Sequence, residues 1–181
     1  MPNYCIGIDT GINGAAIALD EYGEMMGSLA LPHFKEIACY STKKVRSVLD
    51  VEHLESWLDS FDNIRRIVVE ESPAYNQGAT SAYTSGYNSG MLQAICAQRM
   101  FGRKACTFLT VAPRVWQKDL FGDILESSDE GWSKDRSIRL AQMHHGMLPI
   151  FEKPKRTSDG FADACHIAEW GRGHAIDFFG V

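Results

Sequence analysis

The sequence predicts an α/β fold built on a mixed five-stranded sheet flanked by helices. Three observations predict it. Residues 4–31 hold three short apolar runs separated by glycine-containing turns, the pattern of an antiparallel meander. Two further apolar runs, 67–69 and 105–111, alternate with stretches of helical spacing. Beyond residue 112 the periodicity is helical only.

The elements follow in order. Residues 4–9 (Tyr-Cys-Ile-Gly-Ile-Asp) read as a buried strand, and Thr10 to Gly14 as a turn whose glycines accept positive φ. Residues 15–19 form the second strand, Glu21-Tyr22-Gly23 a turn, and 25–31 the third. Residues 33–49 are mixed and basic and read as a loop. Asp50 suits a helix N-cap, and Val51, Leu54, Trp57, Leu58 and Phe61 recur three and four apart behind it. Ile67-Val68-Val69 is a β-branched strand ending at Glu70-Glu71, and Pro73 stops it. Residues 79–101 predict a long helix. Gly86 and Gly90 lie within it, and each costs about 1 kcal/mol against alanine; close packing of another backbone, from this chain or a second subunit, would compensate. Residues 105–111 form the fifth strand. Pro113 fits the first turn of a helix through Phe121. Ser133 caps a helix over 134–145, residues 152–158 read as a basic loop, and Asp159 opens and caps the last helix, 159–171. Arg172 to Val181 reads as a loosely held tail.

At 181 residues without repeats, one domain spanning 1–181 is expected. No apolar run has membrane-spanning length, and no basic segment with an apolar core opens the sequence. The five cysteines are odd in number and lack a Cys-x-x-Cys pair, which argues against a disulfide framework or structural zinc and for a cytoplasmic setting. The net charge of −5 speaks against a generally basic, nucleic-acid-binding surface. Local fields are another matter, because the basic residues come in groups and an acidic site would itself lower the total.

Four carboxylates carry the chemistry. Asp9 ends the first strand at a glycine-rich turn, and Glu70 ends the fourth. Asp159 and Asp163 lie four apart at the start of the last helix and so share a face. If the first and fourth strands are neighbours, Asp9 and Glu70 meet beyond their carboxyl ends, where sites of open α/β sheets lie. Four acids in one pocket must either take up protons or bind cations. An all-oxygen set suits Mg²⁺ or Mn²⁺, and two such ions support phosphodiester displacement. Asp163, amid Phe161, Ala162, Ala164 and Ile167, is the most informative acid, since a buried carboxylate needs a partner. Glu71, next to Glu70, stays open as the alternative.

The segment from Ile6 to Leu19, with its Gly7-Ile8-Asp9-Thr10-Gly11, resembles the first motif of RuvC-type Holliday-junction resolvases of the RNase H-like superfamily. Val68-Val-Glu-Glu-Ser-Pro73 resembles their second motif, and Asp159-Gly-Phe-Ala-Asp-Ala-Cys-His-Ile-Ala168 their closing helix. Gly86-x-x-x-Gly90, Val111-Ala-Pro-x-x-Trp116-Gln-Lys118, Lys134-x-x-Ser137 and Pro149 are similar to the phage-type branch. The resemblance spans nearly the whole chain; the ordered set is specific, while each motif alone is not. It implies a structure-selective endonuclease that nicks four-way DNA junctions symmetrically. Two Mg²⁺ or Mn²⁺ ions would be held by Asp9, Glu70, Asp159 and Asp163, with His166 in support, and no organic cofactor. It further implies a homodimer matching a two-fold substrate. Candidate DNA contacts are Tyr75, Lys118, Lys134, Lys153, Lys155 and Arg156, with Tyr83 and Tyr87 able to stack on opened bases.

Three other readings stay open. A junction-binding protein without cleavage would use the same platform, although intact acids would repel phosphate. An RNA-processing nuclease would share the fold and the acids. An actin-like kinase is suggested by Gly7-x-Asp9-x-Gly11, but such enzymes close two lobes over the nucleotide, for which this chain is short.

Overall fold

A computed structural model describes residues 2–11, 13–39, 41, 43–72, 78–101, 106–126, 132–146 and 155–174. The first three strands are β1 (Tyr4–Ile8), β2 (Ala15–Leu19) and β3 (Met25–Ala30), and they form the expected meander. A hairpin follows, β4 (His33–Cys39) and β5 (Lys44–Leu49), and then α1 (Val51–Asp59) and β6 (Ile64–Glu70). The remainder is α2 (Ala79–Met100), β7 (Thr107–Val111), α3 (Pro113–Glu126), α4 (Lys134–His145) and α5 (Lys155–Gly173).

The main sheet has the order β3-β2-β1-β6-β7. Strands β1, β6 and β7 run parallel, and β2 and β3 antiparallel to their neighbours. Alternation along each strand divides the core. Ile6, Ile8, Ile67 and Val69 face Leu54, Leu58, Leu92 and Cys96 on the side of α1 and α2. Val68 faces Trp116 and Ile167, and Ile17 faces Phe161 and Ala164, on the side of α3, α4 and α5.

One glycine sets the spacing of the second layer. A Cβ on Gly7 would lie 2.2 Å from the Ala168 nitrogen and 2.3 Å from the Ala164 carbonyl oxygen. Any larger residue would push α5 off β1. This close approach brings the start of α5 to the carboxyl end of β1.

Four expectations are corrected. Residues 33–49 are a two-stranded hairpin outside the main sheet, not a loop; Phe34, Ile37 and Val45 stay exposed on it and burial falls on the consecutive Ser47, Val48 and Leu49, so no alternation reveals the strands. The last helix begins at Lys155, which places Asp159 inside the helix rather than at its cap. It continues through Gly173, and His174 still packs on Trp170 at 4.5 Å between ring centroids. The helix from Pro113 likewise runs past Phe121 to Glu126. Asp50 and Ser133 cap α1 and α4 as expected, accepting from the His53 and Arg136 backbone N–H groups. No described helix is long and apolar enough to cross a membrane.

Candidate active site

Because β1 and β6 are parallel neighbours, with Ile8 opposite Val69, Asp9 and Glu70 leave the sheet side by side. Each follows the parity of its strand: Asp9 that of Gly7, Glu70 that of Val68, both toward α5. Glu71 takes the opposite parity. It is exposed and accepts a 3.2 Å hydrogen bond from the Thr110 hydroxyl, away from the other acids. The strand geometry thus groups Glu70, not Glu71, with Asp9.

Asp9 accepts from the Gly11 N–H at 3.0 Å, which folds the turn around it. Glu70 accepts from the indole N–H of Trp116 at 2.9 Å, and Trp116 is fully buried on α3. Burial, reinforced by the Asp9 charge, pushes Glu70 up to about 8 against the pull of Trp116. Burial likewise raises Asp9, against the Gly11 hydrogen bond that lowers it, with the Asp159 charge adding to the rise.

From α5, Asp163 accepts a 2.5 Å hydrogen bond from the Ser137 hydroxyl of α4. Burial raises it to about 7, opposed by that bond, with the Asp9 and Asp159 charges adding to the rise. Asp159 is buried; one carboxylate oxygen meets the Lys134 ammonium, while its other, Oδ1, is buried without a partner among the described residues. Lys134, raised chiefly by this contact, also feels Asp163 and Asp9.

His166 stands behind the acids. It is buried between Trp116 (5.9 Å, stacked) and Phe121 (4.9 Å, edge-on). Its Nε2 lies 3.0 Å from the Ser137 carbonyl, which can only accept, so the proton is on Nε2. Burial lowers it to about 4, against the Ser137 bond. It is therefore neutral and braces the residue that holds Asp163.

Of the predicted phosphate contacts, Lys134 joins the acids, and Lys118 is exposed on α3. Tyr75 and Lys153 lie outside the described residues. Lys155 and Arg156 belong to the first turn of α5, and the description does not extend to their side chains. The sequence reading missed Trp116 and Ser137 as partners of the acids. The one-turn spacing of Lys134 and Ser137 was the available signal.

The donor set suits a hard divalent cation in kind: four carboxylates, one with an orphaned buried oxygen, and an ammonium standing in for positive charge. Among the described residues, however, no three His, Cys, Asp or Glu side chains converge on a single ion position. Within the cluster Lys134 meets Asp159 and Ser137 donates to Asp163, while burial and mutual charge raise Asp9, Glu70 and Asp163.

No protein-family model matches the chain, and no curated protein matches it. Among solved structures it is similar to T. thermophilus RuvC in complex with a Holliday junction substrate. The TM-score is 0.52 at 15% identity, with 94% of this chain and 92% of that chain covered. With the β3-β2-β1-β6-β7 sheet between two helical layers, this likeness gives the chain a RuvC-like, RNase H-like α/β fold.

Proposed function

We propose that the chain is a divalent-metal-dependent endonuclease acting on branched DNA, the four-way junction above all. One observation carries the reading. Asp9 and Glu70 on adjacent parallel strands and Asp159 and Asp163 on α5 share one electrostatic site, on a fold whose solved likeness was captured with a Holliday junction. The same fold supports one nuclease domain over 1–181.

Asp9, Glu70, Asp159 and Asp163 would hold Mg²⁺ or Mn²⁺. When bound, such ions supply charge that activates a water molecule and stabilises the leaving oxygen of an in-line displacement. Glu70, raised to about 8, must be ionised to serve as a ligand. Trp116 favours that ionised state by its indole hydrogen bond, and Ser137 does the same for Asp163. Lys134 must leave Asp159, and a phosphate oxygen is the natural new partner for its ammonium. Lys118, Lys153, Lys155, Arg156 and Tyr75 are proposed as further DNA contacts.

A homodimer is part of the proposal. Nothing lies within 4 Å of a Cβ built on Gly86 or Gly90, and Ala94, one turn on, is also exposed. Among the described residues no intramolecular neighbour explains these glycines, which favours close approach of a second α2.

The second reading is a junction-binding protein without cleavage. It is favoured by the lack of a three-donor cluster among the described residues and by Lys134 on Asp159. Cleavage of a labelled four-way junction and a matched linear duplex, with Mg²⁺, Mn²⁺ or EDTA, separates the two. Metal-dependent paired nicks are expected; tight binding with no cleavage in either metal would select the second reading.

A further inference from the structure

The hairpin β4–β5, which stands outside the main sheet, walls a groove of about 680 Å³ against the N-terminal half of α2. The groove opens at Thr10 and Gly11, the turn that holds Asp9. Its wall is fixed rather than loosely apposed. The Asn88 side chain clasps the hairpin backbone, accepting from the Leu49 N–H at 3.1 Å and donating to the Ser47 carbonyl at 3.0 Å.

Two features of the lining select an occupant. The first is charge: among the described residues His33, Lys35, Lys44 and Arg46 line the groove and no acid does, in a chain of net charge −5. Lys35 and Lys44 are exposed. The second is an aromatic platform. Tyr83 lines the groove and stacks on Tyr87 behind it at 6.3 Å with 24° between their planes, and the Arg46 guanidinium lies 4.2 Å from the Tyr87 centroid and 5.7 Å from the Tyr83 centroid. Arg46 is itself paired to Glu36 across the hairpin. Cation–π contacts from Arg46 to both rings and a cross-strand ion pair orient the platform, yet Tyr83 remains 64% exposed. A ring serving only the core would be covered.

We infer that this groove is a binding site for unpaired nucleotides, taking one strand of nucleic acid with a base stacked on Tyr83 and its phosphates on Lys35 and Lys44. The volume falls within the roughly 300–1,000 Å³ of small-ligand sites, which suits a nucleotide and excludes a duplex. Base-on-aromatic stacking with flanking cations is the general mode of single-strand binding. The inference rests on the nuclease reading for its purpose: a strand opened at a branch point would be led along the groove to the turn beside Asp9. Its test does not rest on that reading.

The test is fluorescence anisotropy of the full chain in EDTA with a labelled oligothymidylate and a duplex of equal length. Tyr83→Ala should weaken single-strand binding by about 10-fold while changing duplex binding by less than about 2-fold. Lys35→Gln with Lys44→Gln should weaken it and flatten its salt dependence by roughly two phosphate contacts. Both changes are at exposed side chains, and circular dichroism would check their folding. Unchanged single-strand affinity in both variants overturns the inference, as does an equal loss on duplex, which would make the groove a general DNA surface. Should wild type show the Tyr83-dependent preference yet cut nothing in metal, the groove stands and the nuclease reading fails. Should wild type cut junctions while both variants bind the single strand normally, the reverse holds.

Discussion

Asp9 and Glu70 end neighbouring parallel strands in one desolvated site, where burial and the Asp9 charge push Glu70 up to about 8. The metal-free protein relieves crowded acids by protonation, and several consequences are measurable.

Stability of the metal-free protein should fall as pH rises. Glu70 and Asp163 are raised from about 4.5 and 3.8 to about 8 and 7, so between those limits the folded state binds more protons than the unfolded one. Their stabilising contribution is full below pH ~4 and is lost as pH climbs through 7 to 8. Thermal melts in EDTA should show this decline, and added Mg²⁺ should raise Tm more at pH 8 than at pH 5.5. A larger Mg²⁺ effect at pH 5.5 would contradict it.

Asp163→Asn removes one charge from the cluster. At pH 8 in EDTA it should stabilise the fold, by on the order of 1 kcal/mol, while lowering cleavage by roughly 10³-fold. Gain of stability with loss of activity is the mark of a functional acid; loss of both would make Asp163 structural.

Trp116→Phe deletes the donor to Glu70. Because that bond favours the ionised carboxylate, its loss pushes Glu70 higher still, and the rising limb of the pH–rate profile should move to higher pH. A drop of about 10-fold at pH 7, recovered in part at pH 9, is expected. An unshifted profile would reduce Trp116 to packing. Ser137→Ala should act in the same direction through Asp163.

Lys134→Met frees Asp159 from its ammonium. The side chain of Lys134 is 62% exposed, so the pair is worth only about 1 kcal/mol. Calorimetric Mg²⁺ titration of the DNA-free protein should show roughly 5-fold tighter binding. Weaker binding would mean that Lys134 organises the site instead of competing for it.

Gly86→Ala with Gly90→Ala should stabilise isolated α2, by about 1 kcal/mol per site, while disfavouring close helix approach. Sedimentation should therefore show a shift from dimer to monomer. A monomeric wild type would remove the dimer from the account.

Much of this was legible in the sequence, for identifiable reasons. The apolar run through Ile8 ending in Asp9 at a glycine turn and the β-branched run ending in Glu70 fixed two acids by strand period. The choice between Glu70 and Glu71 depended on which face carries α5, and only the assembled layers supply that. Asp159 misled because aspartate favours N-caps, whereas the helix starts one turn earlier, at Lys155. The β4–β5 hairpin was missed because its burial falls on the consecutive Ser47, Val48 and Leu49 while Phe34, Ile37 and Val45 face solvent, so no alternating pattern stands out. Trp116 and Ser137 gained their roles from packing between distant helices, which local periodicity does not encode.

The most direct test of the central claim is cleavage of a synthetic four-way junction in Mg²⁺ by wild type and by Asp163→Asn, each beside EDTA. The account predicts paired, symmetric nicks by wild type that vanish with EDTA and in the variant. Metal-independent nicking, or equal cutting by both proteins, would contradict it.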